Sequence, residues 1–371
     1  MAAYAEVFAL AALLTYGLTF PVRRVATVLG AIVEPDERRA HLVRTPTVGG
    51  AAMYLAFLVA MAVASLMPAF HQVFHPSSAP LGVVLGATVI FAVGAVDDLR
   101  EVSAPAKLAG TVVAATVLYF LGVTLLYFRV PFAGFIVLGP DLTPLLTALW
   151  VAVMANAINL IDGLDGLAAG IVAIAAGSFF VYAERLSHLG LLSADNVGPL
   201  VAAIACGVCV GFLPHNLHPA RIFMGDAGAL FLGLLMAAST MVVGGQTANQ
   251  FHFTGETYFF FAPLFIPFVI LGVPILDTAF ALVRRTARRA SPALADREHL
   301  HHRLMRLGHG HRRSVLILWV WTAILSGLVL YPTFDLPGAG STNAIVPFGI
   351  LALGVVLYTL FHPGVRQKSP A

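Results

Sequence analysis

Asn156-Ala-Ile-Asn159-Leu-Ile-Asp162-Gly-Leu-Asp165-Gly-Leu-Ala-Ala-Gly170 sets two amides and two carboxylates, each three residues from the next, between apolar flanks at 145–154 and 171–181. Those flanks are apolar enough for lipid. Ionisable groups at membrane depth cost several kcal/mol unless they line a polar cavity or reach the interface, so they mark function by default. On one continuous helix Asn156 and Asn159 would be neighbours, with Asp165 turned to the opposite side. Gly163 and Gly166 allow the backbone to leave the helix between the two acids. The expectation is that all four polar groups converge. A simple hinge, a helix end followed by an Asp cap, needs one such residue where four stand.

Composition fixes the class around this stretch. The 371 residues are 59% hydrophobic and 11% charged, with a mean hydropathy of +0.89, far outside soluble norms. The reading is an all-α polytopic membrane protein, a single domain over 1–371. It has about eleven spans, near 3–21, 48–69, 80–97, 104–126, 143–160, 167–184, 196–213, 228–244, 257–283, 315–331 and 344–362. Of the 21 Lys and Arg, only Arg129 and Arg185 fall outside the loops after odd-numbered spans and the C-terminal tail. By the positive-inside rule the N-terminus is outside and the C-terminus cytoplasmic. The first span, with no basic stretch before it and Arg23 and Arg24 after it, reads as an uncleaved anchor. The cytoplasmic loops then lie at about 22–47, 97–104, 156–167, 214–227 and 284–314. The net charge of +3 belongs to membrane orientation and gives no reason to expect nucleic acid. Cys206 and Cys209 lie inside an apolar span beside Gly207 and read as small packing residues.

Each cytoplasmic loop carries polar chemistry. The first reads Glu34 to Gly50 and holds Arg38, Arg39, His41 and Arg44, then Pro46 and Gly49-Gly50, which stiffen the chain and admit close backbone approach. The third span ends in Asp97-Asp98, two carboxylates at the negative end of a helix dipole, which calls for a cation. Ser103, Pro105 and Lys107 open the next span; Ser103 is the expected cap, and Lys107 stands where an anion suits better. Residues 127–140 suggest a small external β-hairpin. After the seventh span comes Pro214 to Gly228 with Arg221, Phe223, Gly225 and Asp226. The acids and amides gathered on one membrane face are Mg²⁺-type ligands, and Mg²⁺ with few protein ligands usually serves a phosphate substrate. Pro263, Pro267, Gly272 and Pro274 predict a kinked ninth span. His299-Leu-His301-His302-Arg303 departs from zinc-site spacing and suits a pyrophosphate better.

Taken together, Asp97-Asp98, the 156–170 stretch, Phe223-Met-Gly-Asp226 and His299-Leu-His-His302 resemble the signature loops of the polyprenyl-phosphate N-acetylhexosamine-1-phosphate transferases of the glycosyltransferase 4 type. The resemblance covers nearly the whole chain in order. The His-Leu-His-His form, with His41 and 46–50, is similar to the branch that transfers GlcNAc-1-phosphate; the muramoyl-pentapeptide branch tends to three consecutive histidines. The resemblance implies that Asn159 and Asp226 hold Mg²⁺, with Mn²⁺ as a substitute. It gives Asp97, supported by Asp98, the lipid phosphate, Lys107 a phosphate and Phe223 the uracil. It puts Asp165 near the nucleotide and His299, His301, His302 and Arg303 at the pyrophosphate or sugar. Asp162 joins the catalytic set; Asn156, Arg221 and His41 join the substrate-binding set. The implied partners are UDP-GlcNAc, polyprenyl phosphate and the lipid bilayer, with a homodimer admitted, in a bacterial inner membrane with the site facing the cytoplasm. The pentapeptide transferase and, from another class, a secondary transporter are the rival readings. Against the transporter, the polar groups gather in loops rather than at the midplane and no inverted repeat is evident.

Overall fold

A computed structural model describes residues 1–28, 30–33, 45–100, 102–130, 134–244, 304–305, 308–334 and 342–361. Helix α1 (Ala2–Val28) leads to β1 (Ile32–Val33), which pairs antiparallel with β2 (Thr45–Pro46). Helix α2 (Gly50–Leu66) breaks at Met67 and turns through 89° into Pro68–Phe70 and α3 (His71–Phe74). Then come α4 (Ala79–Leu99), α5 (Ala104–Phe120) and the strands β3 (Tyr127–Val130) and β4 (Gly134–Val137), paired antiparallel. Helices α6 (Leu142–Ile161), α7 (Leu167–His188), α8 (Gly198–Asn216) and α9 (Gly225–Gly244) follow. Helices α10 (His311–Phe334) and α11 (Thr342–Phe361) close the described chain.

The chain is a multi-pass membrane protein. In lipid every backbone polar group must find its partner within the segment, which leaves helices as the spanning element. Threonines fold into the same economy: the hydroxyls of Thr19, Thr88, Thr116 and Thr147 donate to carbonyls one turn back. Pro80, Pro105 and Pro199 stand in first turns, where a missing N–H costs nothing.

Of the eleven or so expected spans, ten lie within the described residues and each falls on a helix, though not every helix is long and apolar enough to qualify as a span by itself. Among the described residues six helices qualify, α1, α4, α6, α7, α8 and α9, and the bent α2–α3 pair makes a seventh. Helix α5, with 17 residues, is apolar but shorter. The ninth expected span, 257–283, lies outside the described residues.

Helix α9 is the axis of the bundle, buried from Ala227 to Gly244 and packed against α4, α6, α8 and α2. Small residues permit the approach, which in lipid must be sustained by close van der Waals contact. A Cβ on Gly94 of α4 would stand 2.4 Å from Ala227 Cα, and one on Gly50 of α2 would stand 2.3 Å from Gly228 N. These contacts press the end of α4 and the start of α2 onto the first turn of α9. In α8, Gly207 and Gly211 lie against the backbone of α1, and Cys206 Sγ donates to Ala173 O at 3.3 Å, so the cysteine pair serves helix packing.

Candidate active site

Four helix ends meet: the C-termini of α4 and α6 and the N-termini of α5 and α9. Lys107 Nζ lies between two carboxylates, paired with Asp97 Oδ2 and at 2.6 Å from Asp226 Oδ2. Asn159 Nδ2 donates to the same Asp226 oxygen at 3.2 Å. The Val102 N–H donates to Asp97 Oδ1 at 2.8 Å, turning the chain from α4 toward α5. Thus the cation that the adjacent acids demanded is Lys107, and the anion that Lys107 demanded is the Asp97 and Asp226 pair.

Asp98 faces elsewhere. Its Oδ1 accepts the Asp226 N–H at 2.7 Å and its Oδ2 the Ala227 N–H at 3.1 Å. A carboxylate from α4 therefore satisfies orphan donors at the positive end of α9, the work a local N-cap normally does. Gly225 makes room: its φ of +72° is left-handed, and a Cβ there would stand 2.4 Å from Asp98 Oδ2. Asp226 is consequently no capping residue of its own helix. Ser103 holds the cap position of α5 without a side-chain hydrogen bond, which corrects the expectation of a serine cap.

The Phe223–Asp226 segment is threaded through the loop before α2. Phe223 N–H donates to Pro46 O at 2.9 Å, Gly49 N–H to Phe223 O at 2.9 Å and Gly50 N–H to Met224 O at 2.8 Å. The close approach that Gly49-Gly50 allow is thus to this segment. Phe223 is partly exposed and Arg221 is exposed.

The 156–166 stretch does not bring its four polar groups to one point. Asn156 is exposed and its Nδ2 donates to Ala152 O at 2.7 Å along its own helix. Asn159 joins Asp226, as above. Helix α6 ends at Ile161, and the chain turns through Asp162 to a left-handed Gly166 with φ +77°. Desolvation, then the charges of Asp226, Asp98 and Asp165, push the Asp162 carboxyl up to about 8. Asp165 is 4% exposed and turns away to the loop after α8. Its Oδ2 accepts His218 Nδ1 at 2.7 Å and Ala220 N–H at 3.0 Å. The physical reason is the short turn between α6 and α7, after which Asp165 lies against the loop that follows α8. This second cluster includes His311, stacked on His218 with ring centroids 4.2 Å apart, and Arg312, whose Nε and Nη2 donate to His218 O at 3.2 and 3.0 Å. His218, His311 and Arg312 were not singled out by sequence reasoning, because Asp165 meets His218 across 53 residues. His41, His299, His301, His302 and Arg303 lie outside the described residues.

Asp97 and Asp226 bring their carboxylates to Lys107 and Asn159 brings its amide to Asp226, while Asp162 feels the charge of Asp226. Asn159 now presents its nitrogen; a half-turn of the amide presents its oxygen in the same place. Carboxylate and amide oxygens without sulfur or imidazole suit a hard divalent cation, so the residues fit one.

Fold and site together define a polytopic membrane protein with a carboxylate, amide and lysine centre suited to phosphate chemistry. The glycosyl transferase family 4 sequence profile matches residues 80–244. Over 370 residues the chain is 38% identical to the decaprenyl-phosphate N-acetylglucosaminephosphotransferase of Mycobacterium tuberculosis, covering 97% of this chain and 90% of that one. It is 33% identical over 306 residues to a Bacillus subtilis protein named "Probable undecaprenyl-phosphate N-acetylglucosaminyl 1-phosphate transferase", covering 82% and 78%. It is 32% identical over 331 residues to the phospho-N-acetylmuramoyl-pentapeptide-transferase of Desulforudis audaxviator, covering 81% and 89%. The chain belongs to glycosyl transferase family 4.

Proposed function

We propose that the chain transfers GlcNAc-1-phosphate from UDP-GlcNAc to a polyprenyl phosphate, giving polyprenyl-diphosphate-GlcNAc and UMP, at the cytoplasmic face of a bacterial inner membrane. The observation that carries this reading is Lys107 set between Asp97 and Asp226 in a chain similar end to end to a GlcNAc-phosphate transferase. A phosphate oxygen of the carrier lipid attacks the β-phosphorus of UDP-GlcNAc. The bond from that phosphorus to the oxygen bridging to UMP breaks, and UMP leaves with the oxygen. No protein nucleophile is required; catalysis is positioning and charge neutralisation.

Asp226 and Asn159 are the residues that would hold Mg²⁺, with Mn²⁺ as substitute. When bound, the cation neutralises negative charge on the pyrophosphate. Lys107 binds phosphate, and Asp97 positions the lipid phosphate. Because the second ionisation of a phosphate monoester falls near pH 6, that phosphate is largely ionised already, and Asp97 has little need to remove a proton. Asp98 sets the first turn of α9, and Asp162 belongs to the catalytic set beside Asp226. Phe223 stacks on uracil, Asn156, Asp165 and Arg221 border the nucleotide, and His41, His299, His301, His302 and Arg303 contact the pyrophosphate or sugar. The N-terminus is outside, and the β3–β4 hairpin is external.

GlcNAc is preferred over the muramoyl pentapeptide because the pentapeptide-transferase relative covers 81% of the chain against 97%, and the three-histidine run is missing. Purified protein with polyprenyl phosphate, Mg²⁺ and a panel of UDP-sugars tests the reading. UMP release is expected from UDP-GlcNAc and little from the pentapeptide nucleotide. The reverse preference would move the chain to the other branch, and no release from any donor would revive the transporter.

A further inference from the structure

The turn after α8 is fixed from three sides, although few of its residues belong to the proposed catalytic set. Asn216, buried, accepts the Gly166 N–H at 3.0 Å and donates to Ile222 O at 3.0 Å, so it holds one end of the turn to the other and to the α6–α7 connection. A single oxygen of buried Asp165 accepts from both His218 Nδ1 and the Ala220 N–H, gripping the chain on either side of Pro219. From the first turn of α10, the Arg312 fork closes on the His218 carbonyl. His311 covers the His218 ring. Directly beyond Ile222 the chain enters the segment paired with Pro46, Gly49 and Gly50 and ends on Asp226. So short a path, at 3.8 Å per residue, has little slack to absorb a displaced turn.

We propose that His218 is a positioning residue of the transferase. It is the pivot through which Asp165 and Arg312 fix the segment that delivers Phe223 and Asp226, and it touches no reacting atom. The inference rests on the transferase reading. It also gives α10 a role, because the helix that follows His299–Arg303 in sequence is anchored to the loop carrying Asp226. The same side chains could be taken for a transition-metal site, since their donor atoms lie within 4.8 Å of one another. The 2.7 Å separation of His218 and Asp165 is a hydrogen bond. A permanently charged guanidinium held against His218 also disfavours a dication there.

The test uses full-length protein in detergent and the variants His218→Ala, His218→Asn and Arg312→Gln. Turnover, apparent Mg²⁺ requirement, metal content and the Tm shift given by UDP with Mg²⁺ are all measured. Misplacement of a site by about an ångström costs on the order of a hundredfold, so H218A is expected to lose that much kcat/KM for UDP-GlcNAc. Its KM for UDP-GlcNAc and its Mg²⁺ requirement should rise, and the KM for polyprenyl phosphate should stay within about twofold. H218N, whose amide donates from near the place of Nδ1, should recover most of the loss, and R312Q should fall between. Loss of active protein with every KM unchanged would overturn the proposal, as would an unchanged UDP-dependent Tm shift. Stoichiometric zinc that disappears in H218A would overturn it as well. If H218A does not fold, H218N and R312Q carry the same comparison. A wild-type protein inactive on UDP-GlcNAc would defeat the transferase reading instead, and the Tm shift would still judge the pivot.

Discussion

Asp98, at the end of α4, accepts the backbone N–H of Asp226, at the start of α9, at 2.7 Å. One acid of the Asp97-Asp98 pair thus holds the first turn of α9 while its neighbour meets Lys107. The two residues should separate experimentally. Asp98→Ala leaves two N–H groups without their acceptor, and loss of a cap costs about 1–2 kcal/mol, so Tm should fall along with turnover. Asp98→Asn keeps an acceptor and should restore most of the Tm. Asp97→Asn should reduce kcat with little change in Tm. Equal Tm losses for Asp97 and Asp98 variants would contradict this division.

Gly225 leaves no room for a side chain. Alanine there pays a left-handed backbone penalty of about 1–2 kcal/mol and also meets Asp98 Oδ2 at 2.4 Å. Gly225→Ala is expected to lose activity by more than the backbone term explains. Gly225→Ala combined with Asp98→Ser should regain part of it, measured as UMP release per folded protein. No gain in the double variant would mean that the contact with Asp98 is not the cause.

Lys107 neutralises Asp97 and Asp226. Lys107→Met leaves those carboxylates facing each other and removes the phosphate contact proposed for Lys107, a charge-assisted contact worth roughly 2–4 kcal/mol when made in a transition state. The expected result is a fall in kcat of about a hundredfold or more that extra Mg²⁺ does not reverse. Turnover within a factor of about three would make Lys107 a peripheral cation instead.

Asp162 carries a pH signature. Its carboxyl rises from the ordinary 3.8 to about 8 in the folded chain. Between those values the folded state holds a proton that the unfolded state has lost, so this group makes stability fall as pH rises through that window. In metal-free protein Asp162→Asn should therefore raise Tm relative to wild type, with the advantage growing from pH 5 toward pH 8. A constant difference across that range would show that Asp162 ionises at its ordinary pKa.

Much of this centre was legible in the chain because its residues violate local rules. Asp97 and Asp98 oppose a helix dipole, Lys107 stands in a first turn, and Asn159 and Asp226 interrupt apolar helices beside turns. Each anomaly asks for a partner, and the partners proved to be one another. What was not legible is which partner each residue takes. Asp98 and Asp97 are adjacent in sequence yet serve different elements, because the helix sets their side chains about 100° apart. Asp165 looks like a fourth member of the 156–165 set, but the tight turn at Gly166 sends it to His218. Each expected span within the described residues falls on a helix, while hydropathy alone did not show that α5 would stop at 17 residues or that the second span would bend at Met67.

The central claim is that the sugar leaves UDP together with its phosphate. UDP-GlcNAc carrying ³²P only in the β-phosphate, incubated with purified protein, polyprenyl phosphate and Mg²⁺, tests it most directly. The label is expected to move quantitatively into the organic-soluble lipid as UMP appears unlabelled, and Asp226→Asn is expected to abolish the transfer. Label retained in soluble UDP while GlcNAc enters the lipid would contradict it, since the bond broken would then be the sugar–oxygen bond.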